Sequence, residues 1–382
     1  MKIGIVCYPT YGGSGVVATE LGIALANTGH EVHFIAYKQP FRLSYFHENI
    51  SFHEVTFADY PLFEYPPYET ALASKLVDAV KFSKLEVIHV HYAIPHASAA
   101  LLAKQILAAQ NIHIPVITTL HGTDITLVGK DPTYAPVVTY SINNSDAVTA
   151  VSADLRRQTY DTFDISKEIE VIPNFINTHI YRPDNKSHFK KAIAPHGEKI
   201  IIHTSNFREV KRIEDVIYVF YELRKNIDAK LLLVGDGPER QKAEQLCRQL
   251  GTCSDTRFLG KQDAINELLA ISDLFILPSA AESFGLAALE AMACGVPVIS
   301  SNAGGIPEVN IQGVTGFLSE VGNVNEMAAN ALRLLENNDL LEQFKTNALA
   351  QAQQFSTERI VPEYEKLYGN LVKKIEMKFV AP

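Results

Sequence analysis

Short β-branched runs alternate with amphipathic helical stretches along most of the chain, and they do so in two successive series. The first series is KIGIVCY, a helical stretch from Val16 to Thr28, EVHFIAY, ISFHEVT, a helix from Tyr68 to Phe82, VIHVHY, a helix from His96 to Ala109, PVITTLH, DAVTAVS, a helix from Ala153 to Tyr160, and IEVIPN. Strands that alternate with helices in this way form parallel sheets, because a parallel pair needs a crossover that a helix supplies. A polar stretch rich in Pro and Asn, from Pro173 to Pro195, then interrupts the rhythm and marks a domain boundary. The second series runs KIIIHTS, a helix from Ile213 to Arg224, KLLLVGDG, a helix from Glu239 to Leu250, TRFLG, a short helix, DLFILPS, a helix from Gly285 to Cys294, and PVISS. A helical tail follows from Val324, and Pro362 is expected to break it and leave a last amphipathic helix from Glu363.

The expected architecture is therefore α/β, with two Rossmann-like domains, residues 1–173 and 174–362. A final helix within 363–382 is expected to join the first domain, and a ligand cleft is expected where two such domains face each other. A length of 382 residues agrees with two domains. The chain carries 34 Lys and Arg against 43 Asp and Glu, a net charge of −9 with no basic cluster, which argues against a nucleic-acid backbone as partner. The four cysteines, Cys7, Cys247, Cys253 and Cys294, form no C-x-x-C pair, so neither a disulfide framework nor a structural zinc site is expected, and a reducing cytoplasm fits. The first apolar stretch is too short for a signal peptide, and no run of about 18 apolar residues predicts a membrane span.

The candidate chemistry sits after the strands. Gly12, Gly13, Ser14 and Gly15 follow the first strand and open the first helix, where free N–H groups favour an anion. Gly13-x-Gly15-x-x-Ala18 also satisfies a loose dinucleotide fingerprint, yet the second strand ends in Tyr37-Lys38, without the acid that holds a ribose. Lys38 leaves an NADP reading open. A serine-nucleophile elbow fails at Val16, which replaces its second glycine. His89 and His91 share one face of a strand, with His96 beyond, but no carboxylate or cysteine completes a metal site, and buried hydrogen-bonded histidines are the plainer account. Tyr92, Thr118, Thr119, His121 and Asp124 lie at the carboxyl ends of strands, where open α/β sheets bind ligands. In the second domain Asn206, Arg208, Lys211 and Arg212 gather in SNFREVKR and suit a diphosphate, although Arg212 can instead pair with Glu214 or Asp215. Glu282 and Glu290, in ESFGLAALE, flank a helix start at Gly285 and can accept from sugar or ribose hydroxyls.

GGSGVVATELGIALANTGHEV, HGTD, VIPNFIN, LLLVGDGPE, FLG and ESFGLAALEAMACGVPVISSNAGGIPEV together resemble the retaining glycosyltransferases of the GT4 type, which have the GT-B fold. CYPTYGGSGVVATELG and TSNFREVKR resemble the branch of that family that places N-acetylglucosamine on L-malate at the first step of bacillithiol synthesis. The resemblance implies UDP-GlcNAc as donor substrate and L-malate as acceptor, retention of the anomeric configuration, and neither metal nor other cofactor. It implies that Glu290 accepts from the ribose and Glu282 from the donor sugar, and that the stretch Ser283, Phe284, Gly285 and Leu286 meets the diphosphate and sugar. Phe258 and Leu259 would lie beside the uracil and Gly235 at the edge of the nucleotide pocket. Lys211 and Arg208 would stabilise the departing UDP; relatives often carry an arginine where this chain has Asn206, which leaves open which group faces the β-phosphate. His121 would touch the donor sugar and Gly13 the diphosphate, while Ser14, Gly15, Tyr92 and Thr119 would surround the acceptor, with Arg42 or Arg156 as further counter-charges. Another acceptor, inositol phosphate or a lipid-linked sugar, remains open, as does assembly into a homo-oligomer.

Overall fold

The computed structural model describes residues 1–10, 12–43, 46–57, 64–184 and 187–379; Tyr11 of the glycine-loop motif and the last three residues of the expected terminal helix lie outside them. The chain forms two compact units, Met1–Asn174 with the segment from Glu358 onward, and Phe175–Thr357. In the first unit the described residues form seven strands. They are β1 (Lys2–Val6), β2 (Glu31–Ala36), β3 (Ile50–Glu54), β4 (Val87–His91), β5 (Val116–Leu120), β6 (Ala147–Ala150) and β7 (Ile169–Val171). They pair in the order 3-2-1-4-5-6-7, each pair parallel. In the second unit β8 (Lys199–Thr204), β9 (Ala229–Val234), β10 (Thr256–Gly260), β11 (Leu274–Leu277), β12 (Val298–Ser301) and β13 (Gly316–Ser319) pair in the order 10-9-8-11-12-13, again parallel.

The central strands are apolar without alternation because helices cover both faces of each sheet: every residue of β4, β5, β11 and β12 is buried. In the second unit the helix Ile213–Arg224 lays Val216, Phe220 and Leu223 on Leu231, Leu233 and Ile276, and the helix Val324–Leu335 adds Met327 and Leu334 to the same core. The latter helix starts where the Asn323 side chain accepts from the Glu326 N–H, an N-cap that satisfies one orphan donor. Several elements escape the sequence pattern, among them the short helices Ser187–Ile193, inside the polar boundary stretch, and Ile306–Val309. The helix Ala135–Asn144 follows a polar turn and buries only Val138, Ser141 and Ile142, and β13 is a four-residue run beginning with Gly316.

The terminal helix departs from expectation at its start. It runs Thr357–Phe379 with Pro362 inside it. Pro362 lacks the N–H that would reach the carbonyl of residue 358, so the helix loses a bond near its beginning and no other. Burial of Ile360 and Val361 before the proline and Tyr364, Tyr368 and Leu371 after it holds the helix through that point. Because the helix is continuous, the first unit begins again at Glu358 and not after the proline.

Tyr364 and Tyr368 are among the largest fully buried side chains of the protein, and the Tyr368 hydroxyl lies 2.8 Å from His89 Nδ1 in β4. Glu365, on the same helix, accepts from Thr28 at 2.9 Å and lies 3.0 Å from His30 Nε2. The segment is thus tied to the sheet by burial and to the first helix by polar contacts. Tyr368→Ala is expected to lower unfolding stability by about 3 kcal/mol, and Tyr368→Phe by about 1 kcal/mol because it leaves the His89 nitrogen unpaired. Urea titration of both variants measures the difference, and equal midpoints for wild type and Tyr368→Ala would disprove the docking role.

Candidate functional site

In each sheet the strand order reverses once, between β1 and β4 and between β8 and β11. The loops that leave two such strands diverge to opposite faces of the sheet, so a crevice opens at their carboxyl ends. In both units a polar contact spans that crevice.

In the first unit the bridging contact is the Ser14 hydroxyl donating to the Tyr92 phenol at 2.8 Å. Ser14 opens the helix Ser14–Asn27 after Gly13, and Gly15 lies buried in its first turn. Tyr92 follows β4 at φ 91°, ψ 138°, a conformation that costs a non-glycine residue roughly 1–3 kcal/mol. Its N–H donates to the Thr119 carbonyl at 2.9 Å, and its ring meets Tyr8 edge-on with centroids 5.3 Å apart. His121 lies beside Tyr92 with ring centroids 5.3 Å apart, and its Nε2 is 2.8 Å from His91 Nδ1. Asp124 pins the two loops to each other: one carboxylate oxygen accepts from the Ala93 N–H at 2.9 Å, the other from the Gly122 N–H at 3.0 Å. Gly13, Ser14, Tyr92 and His121 therefore stand together at the switch point.

Thr119 stands apart from this group. Its hydroxyl is buried and engaged with His89 Nε2 at 2.7 Å and Thr149 Oγ1 at 2.6 Å, on the side covered by the terminal helix, so its side chain offers nothing to an acceptor. Thr119 shares its strand face with His121, two residues on, but lies inside β5, where His89 and Thr149 on the neighbouring strands take up its hydroxyl. Arg42 is paired with Glu20 at 2.7 Å, and Arg156 is exposed on the helix Ala153–Thr162. His89, His91 and His96 all have protein partners: His89 lies within hydrogen-bond distance of Tyr368 and Thr119, His91 of His121, and His96 donates from Nδ1 to the His91 carbonyl at 2.5 Å.

In the second unit the bridging contact is an ion pair between Lys211 and Glu282. Glu282 also accepts from Ser279 at 3.2 Å, and the Ala280 N–H donates to the Val210 carbonyl at 2.8 Å, so the two loops are joined through backbone as well. A third loop closes beneath them. A Cβ on Gly304 would lie 2.0 Å from the Glu282 carbonyl oxygen, so only glycine lets the chain after β12 approach so closely, and the Gly305 N–H donates to that carbonyl at 2.9 Å. Gly235 does the same after β9, where a Cβ would stand 1.8 Å from the Ser205 carbonyl.

Asn206 and Arg208 are exposed on the loop before Lys211, whereas Arg212 is bound to Asp215 at 2.5 Å and takes no part in the cluster. Gly285 precedes the helix Leu286–Ala293, one residue later than the pattern suggests. Ser283, Gly285 and Leu286 lie along the helix entrance, but the Phe284 ring is buried edge-on against Phe355, so that residue presents only its backbone there. Glu290, one turn into the helix, accepts from the Tyr181 hydroxyl at 3.0 Å. Phe258 and Leu259 are half-buried at the end of β10, with the Arg240 guanidinium 5.9 Å from the Phe258 ring. Tyr181 and Ser279 were not visible in the sequence: Tyr181 lies in the irregular boundary stretch, and Ser279 carries no motif. Tyr8 sits in the glycine-loop motif, where its ring contact was equally invisible.

Burial dominates the proton affinities of the first unit. It pushes His89 and His121 down to about 3 and His96 to about 4, and raises Asp124 to about 6 despite the backbone N–H groups that favour its charge. In the second unit His203 is likewise lowered to about 4 by burial. These histidines are neutral in the fold and take up protons when it opens, so they supply stability above their unfolded value of 6.5 that is lost as pH falls toward 4 and below. Asp124 acts in the opposite sense between 3.8 and about 6, where the folded form holds the extra proton. Unfolding free energy is expected to fall on acidification from pH 6.5 to 5 with a slope approaching 1.4 kcal/mol per pH unit for each such histidine, about one of them being offset by Asp124. Urea titrations across that range check it, and a flat profile would contradict neutral burial.

Compared with known proteins, residues 11–180 match the family described as Glycosyltransferase Family 4, and residues 184–351 match Glycosyl transferases group 1. N-acetyl-alpha-D-glucosaminyl L-malate synthase of Bacillus anthracis is 48% identical over 375 residues, 98% of each chain. An uncharacterized glycosyltransferase of Methanocaldococcus jannaschii is 28% identical over 342 residues, 85% of this chain and 91% of its own. Among solved structures, sucrose-phosphate synthase from Thermosynechococcus elongatus has a TM-score of 0.80 at 22% identity, covering 98% of this chain and all of that one. Anabaena Alr3699/HepE, solved in complex with UDP and glucose, also has a TM-score of 0.80 at 21% identity, covering 97% and 99%. The fold of the two sheets is thus that of the GT-B glycosyltransferases.

Proposed function

The chain belongs to glycosyltransferase family 4, and from that premise we propose that it transfers N-acetylglucosamine from UDP-GlcNAc to the hydroxyl of L-malate, giving GlcNAc-α-malate and UDP, the first step of bacillithiol synthesis. The observation that carries the choice of substrates is the identity to the Bacillus anthracis enzyme across nearly the full length of both chains. The switch-point groups of each unit suit the two halves of the task.

In the second unit Glu290 accepts from the ribose hydroxyls and Glu282 from the sugar, since ionised carboxylates are pure acceptors. Lys211 has three N–H bonds and spends one on Glu282, which leaves donors for the β-phosphate; Arg208, exposed on the same loop, adds a second fixed charge. Positive charge held in place where the leaving group becomes most negative lowers the barrier to its departure, and it does here what a divalent cation does elsewhere. In the first unit the Gly13 N–H meets the diphosphate, the Gly15 N–H with the hydroxyls of Ser14 and Tyr92 receives the carboxylates of malate, and His121 meets the sugar. The malate oxygen bonds to the anomeric carbon on the face from which UDP leaves, the bond to the phosphate oxygen breaks, and that oxygen takes the malate proton. No side chain becomes a covalent nucleophile.

Among the described residues no helix is long and apolar enough to cross a membrane. Three of the four cysteines are buried and free, which suits a reducing cytoplasm.

UDP release by the purified protein is expected with UDP-GlcNAc and L-malate, to remain unchanged in EDTA, and to be absent without acceptor, with D-malate and with inositol phosphate. Release with inositol phosphate alone would replace the acceptor, and loss of activity in EDTA would remove the metal-free account. Glu290→Ala is expected to raise the UDP-GlcNAc KM about tenfold or more with little effect on malate, and His121→Ala to act mainly on kcat. Unchanged kinetics in either variant would take that residue out of the site.

A further inference from the structure

His121 and His91 meet nitrogen to nitrogen, Nε2 to Nδ1 at 2.8 Å, and a hydrogen bond there needs one proton between two lone pairs. Burial disfavours the charged form of both rings, so each carries a single proton. Two arrangements are possible. If His121 donates, the proton of His91 must sit on its other nitrogen, Nε2. That atom is fully buried and has no hydrogen-bond partner. An orphaned N–H donor is the rarest kind of buried unpaired group, whereas a bare lone pair in the same place is less costly. The proton of His91 therefore belongs on Nδ1 and His121 Nε2 accepts it; the proton of His121 is left on Nδ1, which has no partner among the described residues but, unlike His91 Nε2, is not among their fully buried unpaired atoms.

His91 is well placed to enforce this. It ends β4 in the middle of the sheet, in register with Thr119 of β5. Its carbonyl accepts from His96 Nδ1, and its ring lies between those of His89 and His121, with centroids 4.5 and 5.0 Å away.

We propose that His91 is a positioning residue for the transfer reaction: its Nδ1–H fixes the tautomer of His121, so that His121 presents an N–H donor, and not a lone pair, to the substrate. The functional half rests on the reading that His121 meets the donor sugar; the tautomer rests on the contact between the two rings and their burial. A site with that tautomer selects an acceptor oxygen on the ligand and cannot take a proton from it through Nδ1.

The test joins a spectroscopic and a kinetic measurement. In protein labelled with 15N-histidine, the ring signals of His121, identified by their loss in His121→Asn, are expected to show a protonated Nδ1 and a bare Nε2. A protonated Nε2 in the wild type overturns the proposal, whatever any variant does. His91→Phe keeps the ring volume, deletes the orphan nitrogen and is expected to let the His121 proton redistribute to Nε2. His91→Asn places an amide N–H near the lost Nδ1–H and is expected to restore the wild-type pattern. In UDP release with UDP-GlcNAc and L-malate, His91→Phe should lower kcat about tenfold with the UDP-GlcNAc KM within about twofold, and His91→Asn should recover most of the loss. Wild-type kcat in His91→Phe would overturn the positioning role. The expected tautomer in a protein that shows no malate-dependent release would uphold the assignment of the protons and reject the reaction reading instead.

Discussion

Reversal of strand order at one point in each sheet is the constraint on which the rest of this protein depends. The helices that follow β1 and β4, or β8 and β11, must cross to opposite faces, so a gap opens between their loops. Side chains bridge it in both units, Ser14 to Tyr92 in one and Lys211 to Glu282 in the other, and in the second a backbone bond from Ala280 to Val210 adds to them. Each contact joins groups far apart in sequence, and each lies where N–H groups at a helix start are left without intrahelical partners. A crevice lined by such groups suits a polar ligand.

Holding these loops costs stability, and the first unit shows how the cost is met. A carboxylate and four imidazoles, Asp124 and His89, His91, His96 and His121, are buried near the carboxyl ends of β4 and β5. Burial keeps the imidazoles neutral and linked to neighbours, while Asp124, raised to about 6, gathers backbone N–H groups from both loops that favour its charged form. The terminal helix completes the arrangement from behind by supplying the Tyr368 hydroxyl to His89. The long return of the chain is therefore a condition of the polar interior of the first unit as well as of its apolar core.

Periodicity and turn chemistry made the two parallel sheets legible, because strands buried on both faces have to be continuous apolar runs and the helices between them have to be amphipathic. They also placed Ser14, Tyr92, His121, Lys211, Glu282 and Glu290 at the right ends of their strands and helices. What they could not supply was direction. Thr119 belongs to the same motif as His121, yet His89 and Thr149 on the neighbouring strands take up its hydroxyl; Arg212 sits one residue beyond Lys211, yet Asp215 on its own helix holds it. Pro362 suggested a helix boundary on local grounds, and tertiary burial of the residues around it overrode the lost hydrogen bond. Tyr181 could not be found at all, because its hydroxyl reaches Glu290 across more than a hundred residues of sequence.

On the proposed reaction, the contact between Lys211 and Glu282 also orders the groups that would meet the donor. Glu282 holds Lys211 and accepts from Ser279 before any ligand arrives, while its own carbonyl is pressed against Gly304 and bonded by the Gly305 N–H. Backbone and side chain of one residue are thus fixed from three loops. A lysine on a flexible stem would otherwise lose about 2 kcal/mol of rotamer freedom when it met a phosphate, and a carboxylate on its own would have to choose an orientation when it met a hydroxyl. With the two already paired, that ordering is complete when the fold forms, and binding energy remains for the charge that develops on the leaving group. Replacing Gly304 would act on this arrangement from beneath, through the backbone of Glu282 and not through its carboxylate.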